Sequence, residues 1–356
     1  MKSGKILVIG GYGSVGKTIS ITLAQAFPGQ VIAAGRNLKK AQTLAEETRG
    51  AVIPMEFDIF SPDAHNDIPD DVGMIVMCLD QQGTHFVEAI LKKGIHYVDI
   101  TANTPFFQSL EALDAHAKEN HSTVLLSVGL APGLSNLLAA KALASLKDIN
   151  ELDLFLLLGM GELHGEAAIR WSLENFNTTF QLAQNGQSHL VEALSDGKPT
   201  VFPELGLRHA YRFNLSDQHT LSRTLAIPSV STRLSFDVDG VMRLLAFLKK
   251  VGALKLFKIP AVQTAYIRLT QRIRYGTEAF AVQVHATDAQ GKRLRLTLYG
   301  ENEARMTALA TTQAVKYLYE GTFDSGVFHI EQLFDPDPFI NSLLEKGLQF
   351  LEEVNP

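Results

Sequence analysis

Residues 6 to 16 read Ile6-Leu7-Val8-Ile9-Gly10-Gly11-Tyr12-Gly13-Ser14-Val15-Gly16. Four aliphatic residues run into a G-x-G-x-x-G turn, which is followed by a helical pattern over 17–27 and a second apolar run over 30–34. This strand–turn–helix–strand order is the context that the dinucleotide-binding motif requires. We expect Gly11 to permit the tight turn, Gly13 to let a pyrophosphate approach the backbone, and Gly16 to let the helix pack closely on the strand. The predicted cofactor contacts in this turn are Gly11, Tyr12, Gly13, Ser14, Val15 and Gly16.

The end of the second predicted strand indicates which dinucleotide is bound. An NAD site usually carries Asp or Glu about 20 residues after the glycines, where the carboxylate bonds the ribose 2′-hydroxyl. This chain has Gly35, Arg36 and Asn37 at that place, with Lys39 and Lys40 close behind. A guanidinium binds a 2′-phosphate, whereas a carboxylate repels it. We therefore expect Arg36 and Asn37 to contact the cofactor and NADP(H) to be preferred over NAD(H).

Strand and helix patterns alternate through the first 130 residues. Further strands are predicted over 51–57, 74–79, 96–100 and 123–127, with helices over 38–48, 85–93 and 107–120 between them. Such alternation predicts a doubly wound parallel α/β sheet of the Rossmann type. Ligands of these sheets bind beyond the carboxyl ends of the strands. The candidates at those ends, besides the turn and Arg36, are Asp58, Cys78, Leu79, Asp99 and Thr101.

Length and composition bound the remaining possibilities. A chain of 356 residues exceeds the usual size of one core, so we expect more than one domain. The net charge of −6 and the lack of a strongly basic block argue against nucleic acid as a partner. The single cysteine excludes an intramolecular disulfide and, with a first strand that leaves no room for a signal peptide, predicts a cytoplasmic protein.

The second half of the chain has a different pattern. Strands are predicted over 152–158, 232–237, 280–287 and 294–299, the last two joined by a hairpin turn at 288–291. We predict a Rossmann domain over 1–130 and an α+β domain on an antiparallel or mixed sheet over 131–303. A C-terminal region over 304–356 is expected to pack back on the first domain as helices, the last of them over 339–353.

Several motifs resemble the saccharopine dehydrogenase/saccharopine reductase family. They are VIGGYGSVG (8–16), AGRN (34–37), HYVDITA (96–102) and SVGLAPGLSNLLA (127–139), followed more loosely by GELHGEAAIRW (161–171) and GVFHIEQLF (326–334). The resemblance implies a Rossmann NAD(P) domain and an α/β substrate domain with a mixed sheet. It also implies reversible hydride transfer at a secondary amine carbon, or at the imine formed from an amino acid and a carbonyl compound. Homospermidine- and carboxynorspermidine-forming enzymes are similar, so the substrate does not follow from it.

Imine reduction needs an acid near the nitrogen and cations for substrate carboxylates. Asp99, at a strand end, is either this acid or a cap of the following loop. His164 lies in a glycine-flanked turn and has the imidazole suited to proton transfer at neutral pH. Arg170 and Arg233 are the candidates for carboxylate binding, with structural ion pairing as the alternative for each. Cys78, inside an apolar run, is expected to be a small core residue rather than a nucleophile.

The sequence also bears on whether the protein binds a metal, a membrane or a second copy of itself. No metal-ligand motif stands out among the eleven histidines, and no metal is expected. The segment 241–260 is apolar with interspersed lysines, which is typical either of an interfacial helix or, more often, of a domain-packing helix. Membrane association is therefore not expected, whereas the chain is expected to form a homodimer. The sequence predicts an NADP(H)-dependent oxidoreductase acting on a C–N bond of an amino-acid-like substrate. The alternative is a nucleotide-binding redox sensor or scaffold without catalysis.

Overall fold

The computed structural model describes residues 4–162, 166–272 and 275–355. The strands are β1 (Lys5–Ile9), β2 (Val31–Gly35), β3 (Val52–Glu56), β4 (Val72–Met77), β5 (His96–Asp99), β6 (Thr123–Leu126), β7 (Ile149–Leu158), β8 (Thr179–Gln184), β9 (Gln187–Glu192), β10 (Lys198–Phe202), β11 (Gly206–Arg212), β12 (Ser229–Phe236), β13 (Ala279–Asp288), β14 (Arg293–Glu301), β15 (Gly326–His329) and β16 (Gln349–Val354). The helices are α1 (Ser14–Ala26), α2 (Leu38–Glu47), α3 (His85–Lys92), α4 (Thr104–Glu111), α5 (Asp114–Glu119), α6 (Ser135–Ser145), α7 (Glu166–Asn175), α8 (Ser216–Thr224), α9 (Val241–Lys250), α10 (Pro260–Arg272), α11 (Glu303–Glu320), α12 (Ile330–Leu333) and α13 (Pro336–Leu344).

The chain forms two compact units, and each is discontinuous in sequence. The first contains the described residues up to Leu134 together with Ala304–Ser342. The second contains the described residues of Ser135–Glu303 and those from Leu343 onward. The chain therefore leaves the first unit, returns to it, and enters the second unit again at its end.

The first unit is built on a parallel sheet with strand order β3-β2-β1-β4-β5-β6-β15. Its central strands are buried on both faces, as expected where helices cover a parallel sheet. The order 3-2-1-4-5-6 is that of a Rossmann fold, so the predicted fold class is confirmed. The carboxyl ends of β1, β2 and β4 lie side by side, which brings the glycine turn, Arg36 and Cys78 to one edge of the sheet.

Two details of the first unit differ from the sequence prediction. The segment predicted as one helix over 107–120 forms two, α4 and α5, and α4 begins earlier because Asn103 caps it by accepting a hydrogen bond from the Phe106 N–H at 3.1 Å. The strand β15, four residues long, was not predicted. It extends the sheet beside β6.

The second unit contains a mixed sheet with strand order β10-β11-β12-β7-β13-β14-β16. The pair β7 and β12 is parallel, and the other pairs are antiparallel. A purely antiparallel sheet is therefore wrong, while the mixed sheet implied by the resemblance is confirmed. The predicted hairpin is present as β13 and β14, paired from Ala279 with Glu301 to Thr287 with Arg293. The strands β8 to β11 were not predicted.

The C-terminal segment corrects the predicted final helix. The helix α13 ends at Leu344, and Gly347 adopts a φ of 100° that stops it. The chain then forms β16, which pairs antiparallel with β14 in the second unit. The helix predicted over 339–353 is thus a short helix followed by an edge strand.

Candidate functional site

The glycine turn after β1 is held by backbone hydrogen bonds. The N–H groups of Gly10 and Gly11 donate to the Ala34 carbonyl at 2.8 and 3.2 Å, and the Gly13 N–H donates to the Gly10 carbonyl at 2.9 Å. Gly10, with a φ of 81°, is the residue in the left-handed region. Gly11 is required for a different reason, because a Cβ there would lie 2.7 Å from the Val8 carbonyl oxygen. The tight turn therefore depends on Gly10, and Gly11 serves close packing.

The turn presents the amino end of α1 to solvent. Gly13 is the N-cap and provides no side-chain cap, so the first-turn N–H groups of Ser14, Val15 and Gly16 have no partner within the helix. Gly13 and Ser14 are exposed. A Cβ on Gly16 would collide with the Gly10 carbonyl, so this glycine allows the helix to lie against the turn. This cradle fits a diphosphate, which helix amino ends bind through N–H groups and the helix dipole.

The end of β2 carries a tyrosine–glycine contact. The Tyr12 hydroxyl accepts a hydrogen bond from the Asn37 N–H at 2.7 Å, and the Tyr12 ring lies where a Gly35 side chain would be. The Asn37 side chain caps α2 by accepting from the Lys40 N–H at 3.1 Å. Asn37 is thereby committed to the local structure, while the neighbouring Arg36 is exposed. Within the part of the chain that the structure describes, no hydrogen bond or ion pair engages the Arg36 guanidinium.

The ends of β3 and β4 lie on either side of these groups in the sheet. Asp58 is exposed and its carboxylate accepts from the Phe60 N–H at 3.1 Å, which closes its own turn. Cys78 and Leu79 follow β4, and their side chains lie beside Gly10, at 3.3 and 3.1 Å from the point that a Cβ on that glycine would occupy. Desolvation and the Asp99 carboxylate raise the pKa of the Cys78 thiol, so it is not a thiolate nucleophile.

Asp99 lies at the end of β5 inside a hydrogen-bonded network. The Tyr97 hydroxyl donates to one carboxylate oxygen at 2.6 Å, and the Thr101 N–H donates to the other at 2.8 Å. The Thr101 hydroxyl also donates to Asp99, and the Gln81 amide donates to Tyr97. Burial raises the pKa of Asp99 to about 6, although the hydrogen bonds from Thr101 and Tyr97 oppose this shift.

This geometry bears on the two roles expected for Asp99, as the acid of the reaction or as a cap of the following loop. The residue is fully buried, so its carboxylate has no surface with which to reach a substrate. The alternative interpretation describes it better: the carboxylate caps the loop that begins at Thr101. The assignment of Asp99 as the acid of the reaction stays a prediction.

A cluster that the sequence did not reveal joins β6 to β15 in the same unit. The Ser127 hydroxyl lies 2.7 Å from His329 Nδ1, and His329 Nε2 lies 2.9 Å from a Glu111 carboxylate oxygen. Ser127 has a φ of 56° and is fully buried, so it is not an accessible nucleophile. The cluster connects the two strands to α4. Because Ser127 and His329 are 202 residues apart, only the unpredicted strand β15 would have indicated it.

Arg233, predicted to bind a substrate carboxylate, is instead part of a buried ion-pair network of the second unit. Its guanidinium is 1% exposed and lies 2.5 Å from both Asp153 and Asp196. It also donates to the Ser231 hydroxyl at 2.8 Å. Since these partners occupy its donors, the structural alternative is the one that the geometry supports.

The other two candidates from this part of the chain are Arg170 and His164. The Arg170 side chain is half-buried and donates to the Gln263 amide oxygen. His164 lies outside the described residues. Among the residues that the structure describes, no three His, Cys, Asp or Glu side chains form a group that could hold a metal ion. In the same residues, no helix is both long enough and apolar enough to cross a bilayer.

The strand order, the glycine cradle and the exposed arginine define a dinucleotide-binding Rossmann domain. Residues 6–125 match the family model of the saccharopine dehydrogenase NADP binding domain. The resemblance seen in the motifs is thus confirmed. The comparison with curated proteins gave no match.

The fold of the whole chain is similar to that of a solved relative. This is the apo form of saccharopine dehydrogenase (L-Glu forming) from Saccharomyces cerevisiae, with 15% sequence identity and a TM-score of 0.72. The match covers 99% of this chain and 100% of that one. At this identity the likeness establishes the fold alone.

Two other structures are similar at lower scores. A meso-dapdh mutant with DAP from Clostridium tetani matches with 15% identity and a TM-score of 0.41, covering 96% of this chain and 98% of its own. A probable dehydrogenase from Thermotoga maritima matches with 12% identity and a TM-score of 0.44, covering 98% of each chain. Both are more distant likenesses than the yeast structure.

Proposed function

We propose that this protein is an NADP(H)-dependent oxidoreductase that transfers hydride at a C–N bond of an amino-acid-derived imine or secondary amine. The observation that carries the proposal is the diphosphate cradle of Gly10–Gly16 next to an exposed Arg36, within a segment that matches the model of an NADP binding domain. The fold shared with yeast saccharopine dehydrogenase (L-Glu forming) supports the C–N chemistry as an analogy.

The preference for NADP(H) rests on the chemistry at the end of β2. A carboxylate at that place would repel a 2′-phosphate, and this chain has Gly35-Arg36-Asn37 there. Because Arg36 is exposed and unpaired within the described residues, its guanidinium is available for a charge-assisted hydrogen bond. The lysines at 39 and 40 are exposed in the first turn of α2 and add positive charge.

The roles of the protein's own groups follow from their placement. The amino end of α1 holds the diphosphate and Arg36 the 2′-phosphate. The network of Tyr97, Asp99 and Thr101 fixes the loop after β5. The nicotinamide supplies the hydride when it is bound. We assign proton transfer to His164 and carboxylate binding to Arg170, on the basis of their residue types and their places in the sequence alone.

The experiment is a thermal unfolding series followed by an activity assay. The purified chain is heated with NADPH, NADP, NADH and NAD in turn, and NADPH is expected to raise the Tm most. Each cofactor is then retested with lysine, glutamate, 2-oxoglutarate or a diamine, singly and as pairs of an amine with 2-oxoglutarate, while nicotinamide absorbance is recorded. Oxidation of NADPH that requires an amine and a carbonyl compound together supports the C–N chemistry. If none of the four nucleotides raises the Tm, the proposal is contradicted.

One observation favours a second candidate, a non-catalytic NADP(H) sensor or scaffold. Two residues predicted to act on the substrate, Asp99 and Arg233, are buried and engaged within their own units. A sensor binds NADPH with a clear Tm increase but shows no turnover with any of these partners. The same experiment therefore separates the two functions.

A further inference from the structure

The second unit carries an exposed apolar face on α9 and the segment that follows it. The side chains of Leu244, Phe247 and Val251 are spaced as i, i+3 and i+7, which places them on one side of a helix. The members of this face and their exposed fractions are Leu244 57%, Phe247 59%, Val251 57%, Leu256 56% and Ile259 49%. Neighbouring apolar side chains that are this exposed are typical of a site that binds a protein, a membrane or a ligand.

The inner side of the same helix already has its partner. Met242 is 3% exposed, and α9 contacts β11 and β12. Lys249 points inward as well, since its ammonium donates to the Ala193 carbonyl at 2.5 Å. The domain-packing role expected from the sequence is therefore fulfilled by one side of the helix, and the exposed side is not needed for it.

Positive charge is concentrated in the same segment. Residues 241–277 contain eight Lys and Arg and no Asp or Glu, in a chain whose net charge is −6. The lysines at 250, 255 and 258 are exposed among the apolar side chains. Arg243 is exposed as well and pairs with Asp239 at 3.0 Å. An apolar face bordered by lysines is the composition of segments that lie in a lipid interface.

We propose that this face, which we call the basic apolar face (Leu244, Phe247, Lys250, Val251, Lys255, Leu256, Lys258 and Ile259), binds the surface of an anionic lipid bilayer. The apolar side chains enter the boundary between headgroups and acyl chains, and the lysines keep their ammonium groups at the anionic headgroups. Binding of this kind is peripheral, which agrees with the lack of a spanning helix in the described residues.

A second copy of the chain is a poorer occupant of this face. In a symmetric dimer the same surface meets itself. The lysines of one protomer would then face the lysines of the other without an acidic residue from 241–277 to pair with them. A negatively charged surface satisfies both the lysines and the apolar side chains.

The test is sedimentation of the full chain with two kinds of lipid vesicle. One kind is phosphatidylcholine alone, and the other is phosphatidylcholine and phosphatidylserine in equal parts. We expect binding to the second kind only, weakening as salt is added. The variant Lys250→Gln/Lys255→Gln/Lys258→Gln is expected to bind the anionic vesicles about 100-fold more weakly, because each lysine removed weakens binding about fivefold. The variant Leu244→Ser/Phe247→Ser/Val251→Ser is expected to lose binding at all salt concentrations.

Matched controls keep the result independent of folding and of the proposed activity. Lys92→Gln/Lys147→Gln/Lys292→Gln removes three exposed lysines elsewhere, and Leu207→Ser removes an exposed apolar side chain of the same unit. These variants are expected to bind vesicles as the parent does. All variants should keep the far-ultraviolet spectrum and the NADPH-induced Tm shift, because the substituted residues lie outside the glycine turn and the end of β2.

Three outcomes of the vesicle experiment overturn the proposal. They are no sedimentation with the anionic vesicles, equal sedimentation with both kinds, and loss of binding in the control variants to the same degree. A parent dimer that becomes a monomer in the apolar variant, measured by light scattering, assigns the face to a second copy instead.

Discussion

Arg36 follows the strand β2 at the place where dinucleotide-binding domains distinguish NADP from NAD. Its substitution tests the cofactor preference directly. We expect Arg36→Ala to weaken NADPH binding by ~1–3 kcal/mol, because a hydrogen bond to a charged group is lost. NADH binding should change little, since NADH carries no 2′-phosphate. The two dissociation constants are measured by titrating nucleotide fluorescence.

A control for charge comes from Lys92, an exposed lysine on α3 of the same unit. Lys92→Ala removes one positive charge away from β2 and is expected to leave both affinities unchanged. An Arg36→Ala variant with the NADPH affinity of the parent would contradict the assignment of the 2′-phosphate site.

Asp99 gives a second prediction at the residue scale, through its pKa of about 6. The usual pKa of an Asp in an unfolded chain is about 4, so the folded state takes up a proton at a higher pH than the unfolded state does. The contribution of Asp99 to stability is therefore present below about pH 4 and is lost as the pH rises through about 6. Asp99→Asn removes this dependence.

The measurement is urea unfolding of parent and Asp99→Asn between pH 4 and pH 7. The free energy of unfolding of the parent, relative to the variant, is expected to fall by about 2–3 kcal/mol across that range. A difference that stays constant with pH would show that Asp99 keeps an ordinary pKa in the folded protein.

At the scale of elements, the turn between β1 and α1 depends on backbone contacts that leave no room for a side chain. In Gly16→Ala the added Cβ collides with the Gly10 carbonyl, which cannot move without breaking the turn. We expect a loss of ~1–3 kcal/mol in stability and a larger loss of NADPH affinity, because the N–H groups shift. Calorimetry and nucleotide titration measure the two effects.

Gly83→Ala is the matched control, since a Cβ there meets nothing within 4 Å. It is expected to leave both quantities near the parent values. If Gly16→Ala behaved like Gly83→Ala, the proposed close packing of α1 on the turn would be incorrect.

The sequence predicted an element well where the local pattern of apolar residues matches the burial of that element in the fold. The strands β1 and β4 are buried on both faces, and their apolar runs indicate this without further context. The strand β16 is the opposite case. Its sequence, with Glu352 and Glu353, continues a helical spacing from α13, and only pairing with β14 makes it a strand.

The candidate site could be predicted only where it depends on the spacing of residues within one segment of the chain. The glycines and Arg36 follow from spacing along one segment. Whether a strand-end carboxylate such as Asp99 is exposed or buried depends on Tyr97 and Thr101 around it, and spacing does not contain that information. The same limit applies to Arg233, whose partners Asp153 and Asp196 lie 80 and 37 residues away.

At the scale of the whole molecule, the assignment of the last strand to the second unit predicts what its removal does. The strand β16 belongs to the second unit, whereas the glycine turn and Arg36 belong to the first. A truncation before Gln349 removes β16 and exposes the edge of β14 from Leu294 to Tyr299. Unpaired strand edges favour association, so we expect lower stability and some aggregation.

NADPH affinity is expected to survive this truncation, because the cofactor cradle keeps all of its strands. A truncation after Val354 retains the strand and serves as the control, with parent-like stability. The measurements are the free energy of unfolding, light scattering and the NADPH dissociation constant for each chain. If removal of β16 abolished NADPH binding without unfolding the protein, the cofactor site would depend on the second unit, and the assignment of the cradle to the first unit alone would have to be withdrawn.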